Sequence, residues 1–121
     1  MAFYIHDDVL DDGLQTLTDD VTELHICSAL PSDRADCLTK SLGQKTSPTV
    51  NAPSAYSSPS GRQVVVDEIT DGDVDGTGTA SHWALISGSL LLAAQTLSSG
   101  VSVTSGHKFT LDEFFIAIPT G

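Results

Sequence analysis

From Arg62 to Ile118 the chain runs as one short, apolar-alternating segment after another, each closed by a turn signal. This repetition constrains the fold more than any other feature. A period of two places successive side chains on opposite faces of a sheet. Val64, Val65 and Val66 lie in the first run, 62–69. In the run 77–87, Trp83 and Leu85 share one face while His82, Ala84 and Ile86 share the other. Gly88 permits a turn into 89–97, Ser98-Ser99-Gly100 reads as another turn, and Val101 alternates with Val103. After Ser105-Gly106, the run 108–118 carries Phe109, Leu111, Phe114 or Phe115, Ile116 and Ile118. Its parity slips at Asp112-Glu113, which predicts a bulge or a change of face. Regular short strands with turn signals between them predict a mainly β fold, an antiparallel β-sandwich of Ig-like or jelly-roll-like type.

The first part of the chain reads differently. Leu10, Leu14, Leu17 and Val21 recur at helical spacing, and Asp7 or Asp8 can cap the helix they imply. Asp8, Asp11, Asp12, Asp19 and Asp20 then fall mostly on its wet side. A strand over 21–28 follows, with Leu24 and Ile26 on one face. Ser32 or Asp33 starts a short helical piece through Lys40, and Gly43 ends it. Residues 46–61 are rich in Pro, Ser, Thr and Asn and read as an extended loop or linker. The expected organisation is a helix-strand subdomain over 1–45, the linker 46–61, and an antiparallel β region over 62–121 that packs with strand 21–28.

The 121 residues suffice for one domain with a small appendage and a core that needs no staples. Aromatics are 6% of the chain, so that core is mainly aliphatic. The formal net charge of −11 excludes most nucleic-acid roles, because phosphate capture needs clustered cations. Arg34, Lys40, Lys45, Arg62 and Lys108 are scattered instead. Anionic membrane surfaces are disfavoured for the same reason. The start, Met-Ala-Phe-Tyr-Ile-His-Asp-Asp, has no basic region and no apolar region of the kind a signal peptide needs. The most apolar stretch, 90–94, is too short to span a bilayer. Cys27 and Cys37 can pair or stay free, and a reducing cytoplasm favours two free thiols.

No motif assembles a catalytic site, and no catalytic, cofactor-binding or metal-ligating residue is assigned. Asp71-Gly-Asp73-Val-Asp75-Gly76 matches the first half of a calcium loop. The twelfth position, which needs Glu, is His82, and strand-like flanks replace helices, so a solvated acidic turn is expected. Ser105-Gly-His-Lys108 has Ser-x-x-Lys spacing but falls in a β-turn. Glu23, His25 and Cys27 alternate along one strand and share a face, where a plain strand surface is expected ahead of a metal site. His6, His82 and His107 form no spaced pair. Gly76-Thr-Gly78 lacks the rest of a dinucleotide fingerprint. The adjacent acids Asp67-Glu68 and Asp112-Glu113 point to opposite faces if they lie on strands. Trp83, the only tryptophan, is expected in the core.

Several runs carry a family likeness. They are Gly61-Arg-Gln-Val-Val-Val66, Ile69-Thr-Asp-Gly, and Gly76-Thr-Gly78-Thr-Ala-Ser-His-Trp-Ala-Leu-Ile86. Val103-Thr-Ser-Gly106-His-Lys-Phe-Thr-Leu111, Ile116-Ala-Ile-Pro119, Ile26-Cys-Ser-Ala-Leu-Pro31 and the opening Met-Ala-Phe-Tyr add to them. Together these resemble a family of small virion structural proteins of tailed bacteriophages and prophages, over most of the chain. The resemblance implies a non-enzymatic subunit made in a bacterial cytoplasm and carried in the virion. Its partners would be other virion proteins, chiefly the major capsid protein and copies of itself. A head decoration, or cement, role is expected. A tail, connector or baseplate part and a host-receptor or glycan-binding module are the alternatives.

Overall fold

The computed structural model describes residues 7–56 and 61–119, with the side chains of 7–11, 98 and 119 left aside. Tyr4 and His6, and the side chains of Asp7, Asp8, Leu10 and Asp11, lie outside the described residues. The chain is mainly β, with antiparallel sheets and a short N-terminal helix, consistent with the β-sandwich class read from sequence. Among the described residues no helix is long and apolar enough to cross a membrane.

Two compact units interleave along the chain. One comprises 1–20, 49–68 and 112–121, and the other 21–48 and 69–111. This grouping differs from the contiguous segments 1–45, 46–61 and 62–121, because hydrogen-bonded pairing, not chain order, decides which strands share a sheet.

In the first unit, α1 (Asp7–Asp20) lies against β4 (Gly61–Val66). Leu14 and Leu17 are buried, as the helical stripe predicts, together with Val50, Val64 and Val66. Gly13 sits on the exposed side with nothing near the position of a Cβ. Gly13→Ala is therefore expected to stabilise the protein by about 0.5–1 kcal/mol, read as a raised thermal midpoint. The predicted linker is extended but engaged. Val50 bridges Val66, and β3 (Ser54–Ala55) pairs with β4. β4 pairs on its other side with β9 (Phe114–Pro119), giving the order β3-β4-β9.

In the second unit six strands run in the order β7-β6-β1-β2-β5-β8. β1 (Glu23–Cys27) is central, between β2 (Ser41–Thr46) and β6 (Gly78–Ile86). Leu24 pairs with Leu85 and Ile26 with Trp83, so these four fill one face. All four are buried. On the opposite face α2 (Arg34–Lys40) sets Cys37 against Cys27, Ala84 and Ile86, with Leu91 and Ala94 packed alongside. Asp33 caps α2 by accepting the Asp36 N–H at 2.7 Å, and Arg34 Nε donates to the Ser87 carbonyl at 2.9 Å.

Three local expectations are corrected. Gly43 does not end α2; it lies inside β2, where the β5 backbone passes too close for a side chain. The acidic stretch at 71–76 is not a turn. Most of it forms β5 (Ile69–Val74), because Gly72 and Val74 turn inward while Asp71 and Asp73 meet lysines of the flanking strands. Consequently Asp67-Glu68 connects β4 to β5 and is not within a strand. Ser98-Ser99-Gly100 does not break the chain either. β7 (Leu91–Val103) runs through it, and residues 97–100 bulge opposite Ser81 because Ala80 pairs with Val101 and His82 with Thr96. The turn at Ser105-Gly106 does form, with Gly106 at φ +88°, and leads into β8 (Lys108–Leu111). At Asp112-Glu113 the chain leaves β8 of one sheet for β9 of the other, the change that the parity slip predicts.

Candidate functional site

Strand alternation on β1 puts Glu23, His25 and Cys27 on one face, and the β1–β2 pairing brings Ser41 to them. His25 is buried, with a relative exposure of 4%. Its Nδ1 lies 2.7 Å from Ser41 Oγ and its Nε2 lies 3.1 Å from Glu23 Oε1. With the proton on Nε2, the ring donates to the Glu23 carboxylate and accepts from the Ser41 hydroxyl. That is the bonding order of a serine, histidine and acid relay. A competing bond exists, since the Ser41 hydroxyl also lies 3.1 Å from the Gly43 carbonyl, and one O–H proton serves only one acceptor well. The set lies at a bulge between Ile26 and Cys27, where the β1–β2 ladder loses its regular bonds. Its first effect is therefore to tie β1 to the α2–β2 junction. Ser41 is the member that sequence reasoning missed. It is 16 residues from His25, and only the strand pairing joins them.

Several other candidate residues are engaged in structural bonds. Lys45 Nζ meets Asp71 Oδ1 at 3.0 Å, and Lys108 Nζ forms an ion pair with Asp73 Oδ1. Hydrogen bonding from Lys45 pulls the Asp71 carboxyl below its ordinary range, and the bond to Asp73 raises the Lys108 ammonium above its own. Asp75 receives the Ser105 hydroxyl on its carbonyl at 3.1 Å. The half calcium motif is thus mostly a strand, and two of its acids, Asp71 and Asp73, already hold lysines. Among the described residues no group of three or more His, Cys, Asp or Glu is placed to hold a metal ion. Calorimetry with Ca²⁺ is expected to show no micromolar binding; a micromolar isotherm lost in Asp73→Asn would contradict this assignment. Ser105 and Lys108 do not act on each other, each being bonded to another partner. His82 is held by Ser81 Oγ at 2.8 Å and Thr96 Oγ1 at 3.2 Å.

Cys27 and Cys37 are free thiols with no exposure, their sulfurs 3.9 Å apart. Burial, reinforced by the neighbouring Cys37, pushes the Cys27 thiol up to about 12. Burial raises Cys37 as well. Thiolate is the reactive form, so alkylation of the native protein at neutral pH is expected to be slow and to become fast in denaturant. Rapid native alkylation would contradict this. The linkage has a definite sign. An unfolded Cys27 ionises near 9.0 and the folded one near about 12, so the unfolded chain loses its proton first. This contribution is complete below the lower value and disappears as the pH climbs toward the upper one.

The molecule is thus a mainly antiparallel β protein whose polar side chains chiefly secure strands, caps and turns. Compared with protein-family models, curated proteins and solved structures, the chain has no significant match.

Proposed function

We propose that this chain is a non-enzymatic structural subunit of a tailed-phage virion, a head decoration protein that binds the outer capsid face through the major capsid protein and copies of itself. One observation supports the structural part of the reading. The residues with chemical potential (Asp71, Asp73, Ser105, Lys108, His82 and the buried thiols) bond within the fold. The exposed acids, among them Asp12, Asp75, Asp112 and Glu113, make the surface acidic. Such a surface is repelled by packaged DNA, which favours the exterior of the head. Small modules gain avidity by repetition on a symmetric lattice. The virion assignment itself rests on the sequence resemblance.

The test is co-sedimentation of the purified chain with capsid shells that lack it. Saturable binding to the shells is expected. Failure to bind mature or expanded shells at any ionic strength would contradict the head assignment and favour a tail or connector part.

The Ser41–His25–Glu23 geometry favours a second reading, a serine nucleophile for acyl transfer. In that reading His25 Nδ1 would take the Ser41 proton while Glu23 held Nε2–H. A fluorophosphonate that labelled Ser41 in the native protein, and not in His25→Gln, would establish it. Under the structural reading no labelling is expected.

A further inference from the structure

The three-stranded sheet ends on β9, whose outer edge has no ladder partner among the described residues. The backbone groups that point there follow from the bonds on the far side of β4. Gly61 C=O accepts from Tyr56 N–H at 3.0 Å, Val65 C=O accepts from Asn51 N–H at 2.9 Å, and Asp67 N–H donates to Thr49 C=O at 3.0 Å. Successive residues of an antiparallel strand turn their backbone groups to opposite neighbours. Gly61 and Val65 therefore face away from β9, while Arg62, Val64 and Val66 face it. Their partners Ile118, Ile116 and Phe114 bond inside the sheet. The backbones of Phe115 and Ala117 are left facing outward, with the Pro119 carbonyl in line. Pro119 lacks an N–H, and the missing donor would point outward, where sheets tolerate proline.

Proteins blunt such edges with charge, short strands, bulges or internal proline. The other edges show these devices. β3 has 2 residues, β8 has 4 and carries Lys108, and β7 is bulged. β9 has 6 residues, Phe-Phe-Ile-Ala-Ile-Pro, with no charge and with Phe115 53% exposed.

We infer that β9 pairs antiparallel with β9 of a second copy of this chain, across a two-fold axis at Ile116. In that register Phe115 stands opposite Ala117 of the other copy, and the reverse, each pair exchanging both backbone bonds. Charge selects this arrangement. Asp112 and Glu113 precede β9, while Arg62 pairs with Ile118 near its other end. Antiparallel pairing keeps the acidic ends of the two copies at opposite ends of the joint; parallel pairing would set acids against acids. The joint links two three-stranded sheets into one and is isologous, so it closes at a dimer. It deepens the assembly reading by naming a contact between copies. It stands on strand geometry and charge and not on any capsid contact, so solution dimerisation tests it whether or not the chain binds a capsid.

The test is light scattering with size separation on the purified full chain, at low and high salt. A dimer is expected, tighter at high salt because two chains of net charge −11 repel. Ala117→Pro removes an outward N–H from each copy and leaves the β4 ladder whole. It should weaken the dimer by at least about tenfold with unchanged circular dichroism. Ile116→Cys, treated with oxidised glutathione, should give a covalent dimer across the axis, formed by thiol–disulfide exchange with release of reduced glutathione. A monomeric native chain would overturn the inference, whatever segment covers the edge. So would a dimer that persists in folded Ala117→Pro, or an Ile116→Cys chain that gives no more covalent dimer than the native protein.

Discussion

Leu85→Ala is expected to destabilise the protein by about 2–5 kcal/mol. Leu85 has no exposure and lies on β6 directly opposite Leu24 of β1, with the Ile26–Trp83 pair two residues along the same face. Its truncation removes apolar contacts and leaves a void between strands whose own pairing holds them in place. The central position of β1 and β6 raises the cost, because an edge strand can shift to fill a gap and a strand bonded on both sides cannot. The measurement is urea unfolding followed by Trp83 fluorescence, a probe that the substitution retains. A midpoint equal to that of the native protein would show that this face does not carry the core.

Gly43→Ala is expected to cost at least about 1–3 kcal/mol although it adds only a methyl group. An added Cβ would run into the Asp73 carbonyl oxygen and come within 3.2 Å of Val74 Cα. Both are backbone atoms, so no side chain can swing away to make room. Relief requires β2 and β5 to separate where Gly43 pairs with Val74 and Gln44 with Asp73. The effect should therefore reach beyond stability. Amide exchange in β5 and β8 should speed up, because both lie on the far side of β2 from β1. Gly13→Ala, where space is open, is the matched comparison and moves stability the other way. Equal effects at the two glycines would contradict the strand approach described for Gly43.

The same contrast explains what the sequence disclosed. β6 was legible because Trp83 and Leu85 alternate with His82, Ala84 and Ile86, a pattern with one solution. α1 was legible from its leucine stripe, and α2 from the Asp33 cap. β2 was not legible. Ser-Leu-Gly-Gln-Lys-Thr has one large apolar residue, and its glycine, read as a stop signal, is needed for close approach by a strand that lies far along the chain. β5 was hidden for a related reason. Asp and Gly favour turns locally, and only Lys45 and Lys108, placed by neighbouring strands, make them suitable for a sheet. The candidate site shows the same limit. Glu23 and His25 could be set on one face by parity alone, whereas Ser41 joins them through a pairing that local pattern does not encode. The outer edge of β9, which has no ladder partner among the described residues, is likewise set by its pairing with β4 and not by local pattern.

Quantitative mass spectrometry of purified virions tests the virion reading most directly, by measuring the ratio of this chain to the major capsid protein. A ratio near that of a lattice component, with the chain removable from the outside of filled heads, is the predicted result. Absence from the particle, or a copy number fit only for a single ring, would contradict a head decoration role.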